Sequence, residues 1–138
     1  CLKSGNSSTG SWNYLPAKFS IMKLLLIALG GAAGSLLRYG TGRLLPLQEL
    51  PWATLLVNVT GSFLIGLLAG GMQRFHWPQD LWLAAAVGFC GGFTTLSAFS
   101  LENINLLENG QLLKALLYMA GTLIFSLLAC WLGRKLML

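Results

Sequence analysis

The chain is 138 residues long, 55% hydrophobic and only 9% charged, with nine basic and four acidic side chains and a formal net charge of +5. A soluble domain carries about 25% charge, so this composition argues against a water-soluble fold. The basic excess does not signal a nucleic-acid partner, because the lysines and arginines are scattered between apolar runs and form no patch.

Residues 1–21 read differently from the rest. The stretch Gly5-Asn6-Ser7-Ser8-Thr9-Gly10-Ser11 is polar and turn-rich, and the strong apolar pattern begins only at Met22-Lys23-Leu24. Residues 1–21 are therefore expected to be a non-native or disordered N-terminal segment, ahead of a membrane domain at 22–138. The sequon Asn6-Ser7-Ser8 is too weak a match to specify a compartment. Met22–Leu29 does not read as a cleaved signal peptide, because the apolar run continues past Gly34 to Leu45.

Four apolar runs follow, at about Leu24–Leu45, Trp52–Met72, Leu81–Leu101 and Leu112–Leu132. Each approaches the roughly 20 residues a helix needs to cross the hydrocarbon core. Apolar residues run around each stretch rather than along one stripe, which excludes a soluble bundle with wetted outer faces. The expectation is an all-α integral membrane protein with four transmembrane helices, multi-pass, whose partner is the lipid bilayer. With four crossings, Lys23, Arg74, Arg134 and Lys135 share one side, against Arg38, Arg43 and Lys114 on the other. That is a weak bias for the positive-inside rule, so insertion in both orientations and pairing of oppositely oriented copies are compatible with the count.

Polar groups inside such runs need partners and face other helices or a water path. The first run carries Gly30-Gly31-Ala32-Ala33-Gly34-Ser35 and then Arg38. The small residues permit close helix contact. Arg38 either snorkels to the interface or holds an anion or a neighbouring helix end. In the second run Asn58 and Ser62 share a face, and Gly66 and Gly70 continue it at the same spacing. The third run holds Gly91-Gly92 and Thr94-Thr95, which predict a broken helix at membrane depth. Such a break is tolerated only where protein or a wet cavity satisfies the freed backbone groups, and the exposed carbonyls can hold a cation. Around it hydroxyls alternate with rings, a lining suited to an anion because hydroxyls donate and ring edges are electropositive. In the fourth run Tyr118, Thr122 and Ser126 recur every four residues.

No enzymatic constellation appears. His76, the sole histidine, sits beside Trp77-Pro78 in the middle loop, and Glu49 and Asp80 belong to loops. Cys1, Cys90 and Cys130 lack metal-ligand spacing.

Three segments together resemble one family: Gly30–Tyr39 in the first run, Asn58–Gly66 in the second, and Gly88-Phe89-Cys90-Gly91-Gly92-Phe93-Thr94-Thr95-Leu96-Ser97-Ala98-Phe99-Ser100-Leu101-Glu102 in the third. They resemble the Fluc fluoride channels, also called CrcB or camphor-resistance proteins. The resemblance covers Met22 to the C-terminus, and the third segment is its most specific part. It implies a passive, fluoride-selective exporter in a bacterial inner membrane. It further implies an antiparallel dual-topology homodimer with two pores and a central structural sodium ion. On this chain the implied sodium ligands are the carbonyls of Gly91 and Thr94. The implied pore residues are Asn58, Thr95, Leu96, Ser97, Phe99, Tyr118 and Thr122, with Arg38 and Glu102 in structural or anion-related roles. Leu96 departs from the family, which usually has phenylalanine there; either Phe99 and the hydroxyls suffice, or conduction is slower.

The rival reading is a small four-helix proton-coupled multidrug exporter. Such a pump needs a titratable carboxylate within a membrane helix. The first run has none, and Glu102 lies at the end of the third. A scaffold without transport activity gains little from a break in a spanning helix.

Overall fold

The computed structural model describes residues 20–45 and 50–138. Among these the chain is helical throughout: α1 (Ile21–Leu44), α2 (Trp52–Phe75), α3 (Gln79–Trp82), a π-helical segment (Leu83–Cys90), α4 (Gly91–Phe93), α5 (Leu96–Glu108) and α6 (Leu112–Met137). Four stretches are long and apolar enough to cross a membrane: α1, α2, the third span Gln79–Glu108, and α6. The expectation of a non-native or disordered segment at 1–21 falls, for residues 1–19, outside the described residues.

The connections follow from local chemistry. His76 closes α2 in the left-handed region (φ 53°), and Pro78 then sets an extended backbone before α3. The turn between α5 and α6 depends on Gly110 at φ 71°, a value that strains any residue with a Cβ.

Glycines set how the spans meet. A methyl group at Gly88 would sit 2.7 Å from the Ile27 carbonyl oxygen, and one at Gly34 2.8 Å from the Phe93 nitrogen. Gly30 faces the Ala84 carbonyl and Gly92 the Gly31 carbonyl in the same way. The first and third spans therefore touch backbone to backbone, through small residues spaced by four on each helix. A second such seam joins α2 to α6, where Gly66 faces the Cys130 carbonyl, Gly133 the Phe63 carbonyl and Gly70 the Arg134 backbone. The stripe Asn58, Ser62, Gly66, Gly70 thus serves two neighbours, its glycine half lying against α6.

The outer faces are apolar. Leu29, Leu36, Leu113 and Leu127 are 68–71% exposed in the isolated chain. Large fully buried apolar side chains are few, Val57 and Cys90 leading them. This is the pattern of helices solvated by lipid rather than by water.

Candidate functional site

The third span changes course at two residues. Thr94 (φ −74°, ψ 156°) and Thr95 (φ −150°, ψ 116°) are extended between α4 and α5. Of the two pairs that marked the weakness in sequence, Gly91 and Gly92 are themselves helical. The reason lies in side-chain competition for the backbone. The Thr95 amide donates to Asn58 Oδ1 at 2.8 Å, and Asn58 Nδ2 donates back to the Thr95 carbonyl at 3.1 Å. Thr95 is also the N-cap of α5, its Oγ1 accepting from the Ala98 amide at 3.2 Å. Thr94 closes the preceding helix, with its amide and its hydroxyl each donating to the Cys90 carbonyl at 2.9 Å. Gly61 of α2 leaves the space that the Thr94 methyl occupies.

These bonds have a consequence for two carbonyls. In an uninterrupted helix the Thr95 amide would serve the Gly91 carbonyl, and the Ala98 amide the Thr94 carbonyl. Both amides are diverted, the first to Asn58 and the second to the Thr95 hydroxyl. Gly91 and Thr94 therefore lose their helical donors. Gly91 is exposed, and a methyl group there would meet nothing within 4 Å.

A second cluster lies along the same seam. Glu102 of α5 accepts from Thr54 Oγ1 of α2 at 2.7 Å and from the Tyr118 hydroxyl of α6 at 2.8 Å. Thr54 and Tyr118 are buried, so the carboxylate is held by two short bonds in a largely apolar setting. The Phe99 ring tilts against Tyr118 with centroids 5.3 Å apart, and Asn103 Nδ2 donates to the Phe99 carbonyl at 2.7 Å.

Beside the Asn58–Thr95 pair opens a cavity of about 380 Å³, lined among others by Asn58, Thr95, Leu96, Phe99, Thr122 and Ser126, together with Gly91 and Thr94. Thr122 Oγ1 and Ser126 Oγ are buried with no hydrogen-bond partner among the described residues. A hydroxyl without a partner is costly in an apolar setting and is free to donate to an anion or a water molecule. Ser97 and Tyr118 lie off the cavity wall: Ser97 is exposed and bonded to Thr95 Oγ1 at 3.2 Å, and Tyr118 is turned to Glu102. Arg38, on α1, and Glu102 are likewise outside the cavity lining. Leu96 lines the cavity and is 73% exposed.

Sequence reasoning missed Thr54, although it lies four residues before Asn58 on one face of α2. It also missed Asn103, four residues after Phe99 on α5. Their spacing was visible, but their partners are supplied by the tertiary fold.

Comparison with known proteins places this architecture. The family described as CrcB-like protein, Camphor Resistance (CrcB), matches residues 25–134. A Thermus thermophilus protein named fluoride-specific ion channel FluC is 47% identical over 117 residues, covering 83% of this chain and 94% of the relative. A protein of the same name from Rhizobium meliloti is 46% identical over 119 residues, covering 83% and 94%. One from Methylobacterium radiotolerans is 40% identical over 119 residues, covering 83% of each. The relatives are named as channels, not as enzymes. With four spanning helices and a match from residue 25 to residue 134, this multi-pass membrane chain belongs to the CrcB family.

Proposed function

We propose that the chain is a passive, fluoride-selective channel of the bacterial inner membrane that exports cytoplasmic fluoride. It works as an antiparallel dual-topology homodimer with two pores, and the interruption at Thr94–Thr95 is the functional break of its third membrane helix. The observation that carries this reading is the seam of donors along one cavity. Asn58, Thr95, Thr122 and Ser126 line one space shared by α2, the third span and α6. Membership of a family whose named relatives are fluoride-specific channels supports the choice of ion.

Fluoride is small and strongly hydrated, so a selective path must return hydrogen bonds as water is stripped away. Asn58 uses one of its two amide hydrogens on Thr95 and keeps the other for an anion. The hydroxyls of Thr122 and Ser126 make no geometric hydrogen bond among the described residues. The Phe99 ring, whose edge is polarised, lines the same cavity. Ser97 and Tyr118 act from just outside, Ser97 by engaging Thr95 and Tyr118 by orienting Glu102. Leu96 contributes bulk without a ring edge. Transport is passive, driven out of the cell by the inside-negative potential. Arg38 assists from α1 by favouring anions at the membrane boundary.

A structural sodium ion at the dimer centre fits the residues present. The Gly91 and Thr94 carbonyls have lost their helical donors, and carbonyl oxygens suit a hard cation. The ion would supply fixed positive charge where two third spans meet. Gly91, exposed and without a Cβ, lets such an approach occur.

The test is anion efflux from liposomes carrying the purified protein, read with ion-selective electrodes and balanced by a potassium ionophore. Fast fluoride release without chloride release is expected. No release of either ion from folded protein defeats the proposal, and equal release of both rejects its selectivity.

A further inference from the structure

Away from the polar seam, the described cations gather most densely where α2 and α6 end together. Arg74 Nη1 donates to the Met137 carbonyl at 3.5 Å, and Arg134 Nη2 donates to Gln73 Oε1 at 3.1 Å. The Arg74 guanidinium lies 5.4 Å from the centre of the Phe75 ring, and Lys135 Nζ 5.8 Å from that of Trp131. These contacts tie three long side chains to one membrane-level end of the α2–α6 pair, over aromatic platforms. Favourable interaction with the helix C-termini accounts for part of this placement.

The contacts leave most of the positive donors unused. A guanidinium has five N–H groups, and one is spent on each of these arginines. Asp80, on α3, is the nearby acid in sequence, and no ion pair joins it to Arg74, Arg134 or Lys135 among the described residues. Phe75 and Trp131 are 52% and 57% exposed, so Arg74 and Lys135 each stand beside an open apolar ring, with Arg134, bonded to Gln73, in the same cluster. Positive forks next to exposed aromatic rings at the end of two spans match the level of a lipid headgroup, where rings meet glycerol and guanidinium meets phosphate. A free inorganic anion would gain nothing from the rings.

We propose that the paired C-terminal ends of α2 and α6 form a binding site for the phosphate of an anionic glycerophospholipid, with Arg74 and Arg134 as the phosphate forks and Lys135 as a third cation. The site is separate from the cavity and does not depend on which ion the protein conducts. In an antiparallel pair each leaflet would face one copy of it.

The experiment is native mass spectrometry of the purified protein after incubation with equal amounts of phosphatidylglycerol and phosphatidylcholine. Phosphatidylglycerol is expected to be retained in preference, and each cation removed is expected to lower its retention about five-fold. The variants are Arg74→Gln/Arg134→Gln and, separately, Lys135→Gln, whose only described contact is with Trp131. Arg43→Gln, at the end of α1 on the opposite side, is expected to leave retention unchanged. Equal retention of the two lipids overturns the proposal, as does retention unaltered in both sets of variants. Displacement of phosphatidylglycerol by an equal concentration of inorganic phosphate overturns the lipid assignment in favour of a free-anion site.

Discussion

Two kinds of seam join the spans of this chain. Between α1 and the third span, and between α2 and α6, contact runs through glycines pressed against carbonyls. Where α2 and α6 face the Thr94–Glu102 region, contact runs through hydrogen bonds from Thr54, Asn58 and Tyr118. In hydrocarbon there is no hydrophobic force between helices, so the first kind gains its stability from close van der Waals packing. The second keeps polar groups inside the membrane, at a cost that only pairing and function justify. Glycine seams therefore hold the fold, while the polar seam is the proposed ion path, and damage to the two should separate in experiment.

The largest expected effect is structural. Gly34→Val drives side-chain carbons into the Phe89 carbonyl and the Phe93 nitrogen, and overpacking of this kind costs about 1–3 kcal/mol or more. The monodisperse peak on size exclusion should be lost or its thermal midpoint strongly lowered. A well-folded Gly34→Val protein would break the comparison on the glycine side.

On the polar side, Asn58→Asp keeps an acceptor for the Thr95 amide, gives up the bond to the Thr95 carbonyl and puts a negative charge on the proposed anion path. Like charges about 4 Å apart repel by about 4 kcal/mol at an effective dielectric of 20, so fluoride efflux should fall by more than about a hundredfold. The folded yield should change far less than for Gly34→Val.

Tyr118→Phe and Thr54→Val each remove one donor from Glu102. A hydrogen bond to a charged group is worth about 1.5–3 kcal/mol, so each variant should melt earlier and conduct about tenfold less, and the pair should fall short of additivity. Thermal melts and efflux on the two single variants and the double variant measure this.

Thr122→Val sharpens the division further. Its hydroxyl makes no geometric hydrogen bond among the described residues, so thermal stability should change little while fluoride efflux drops by about tenfold. The smallest effect is expected from Leu96→Phe. The side chain is 73% exposed, so the ring enters without overpacking and should raise fluoride efflux by about two- to threefold through its polarised edge.

Much of this division was legible from the sequence. The four spans follow from run length, and Gly30/Gly34 and Gly66/Gly70 announce close contact by their spacing. Asn58, Thr95 and Thr122 stood out because a polar group in an apolar run demands a partner. The partners themselves were not legible. Thr54 meets Glu102 across 48 positions of chain, and only the fold brings them together. Of the two pairs that marked the break in sequence, Thr94 and Thr95 are the extended ones while Gly91 and Gly92 stay helical, because Asn58 takes the Thr95 amide, a competition that helix propensity does not contain. The π-helical segment Leu83–Cys90 reads as an ordinary apolar helix in sequence, since hydrophobic composition does not distinguish the two windings.

The most direct test of the conducting seam compares fluoride and chloride efflux from liposomes loaded with equal amounts of folded wild-type and Asn58→Asp protein. The account predicts rapid fluoride release and no chloride release from the wild type, with near silence from the variant at an unchanged size-exclusion profile. Fluoride release from Asn58→Asp at the wild-type rate would contradict it, because the ion would then be passing somewhere other than the cavity beside Thr95.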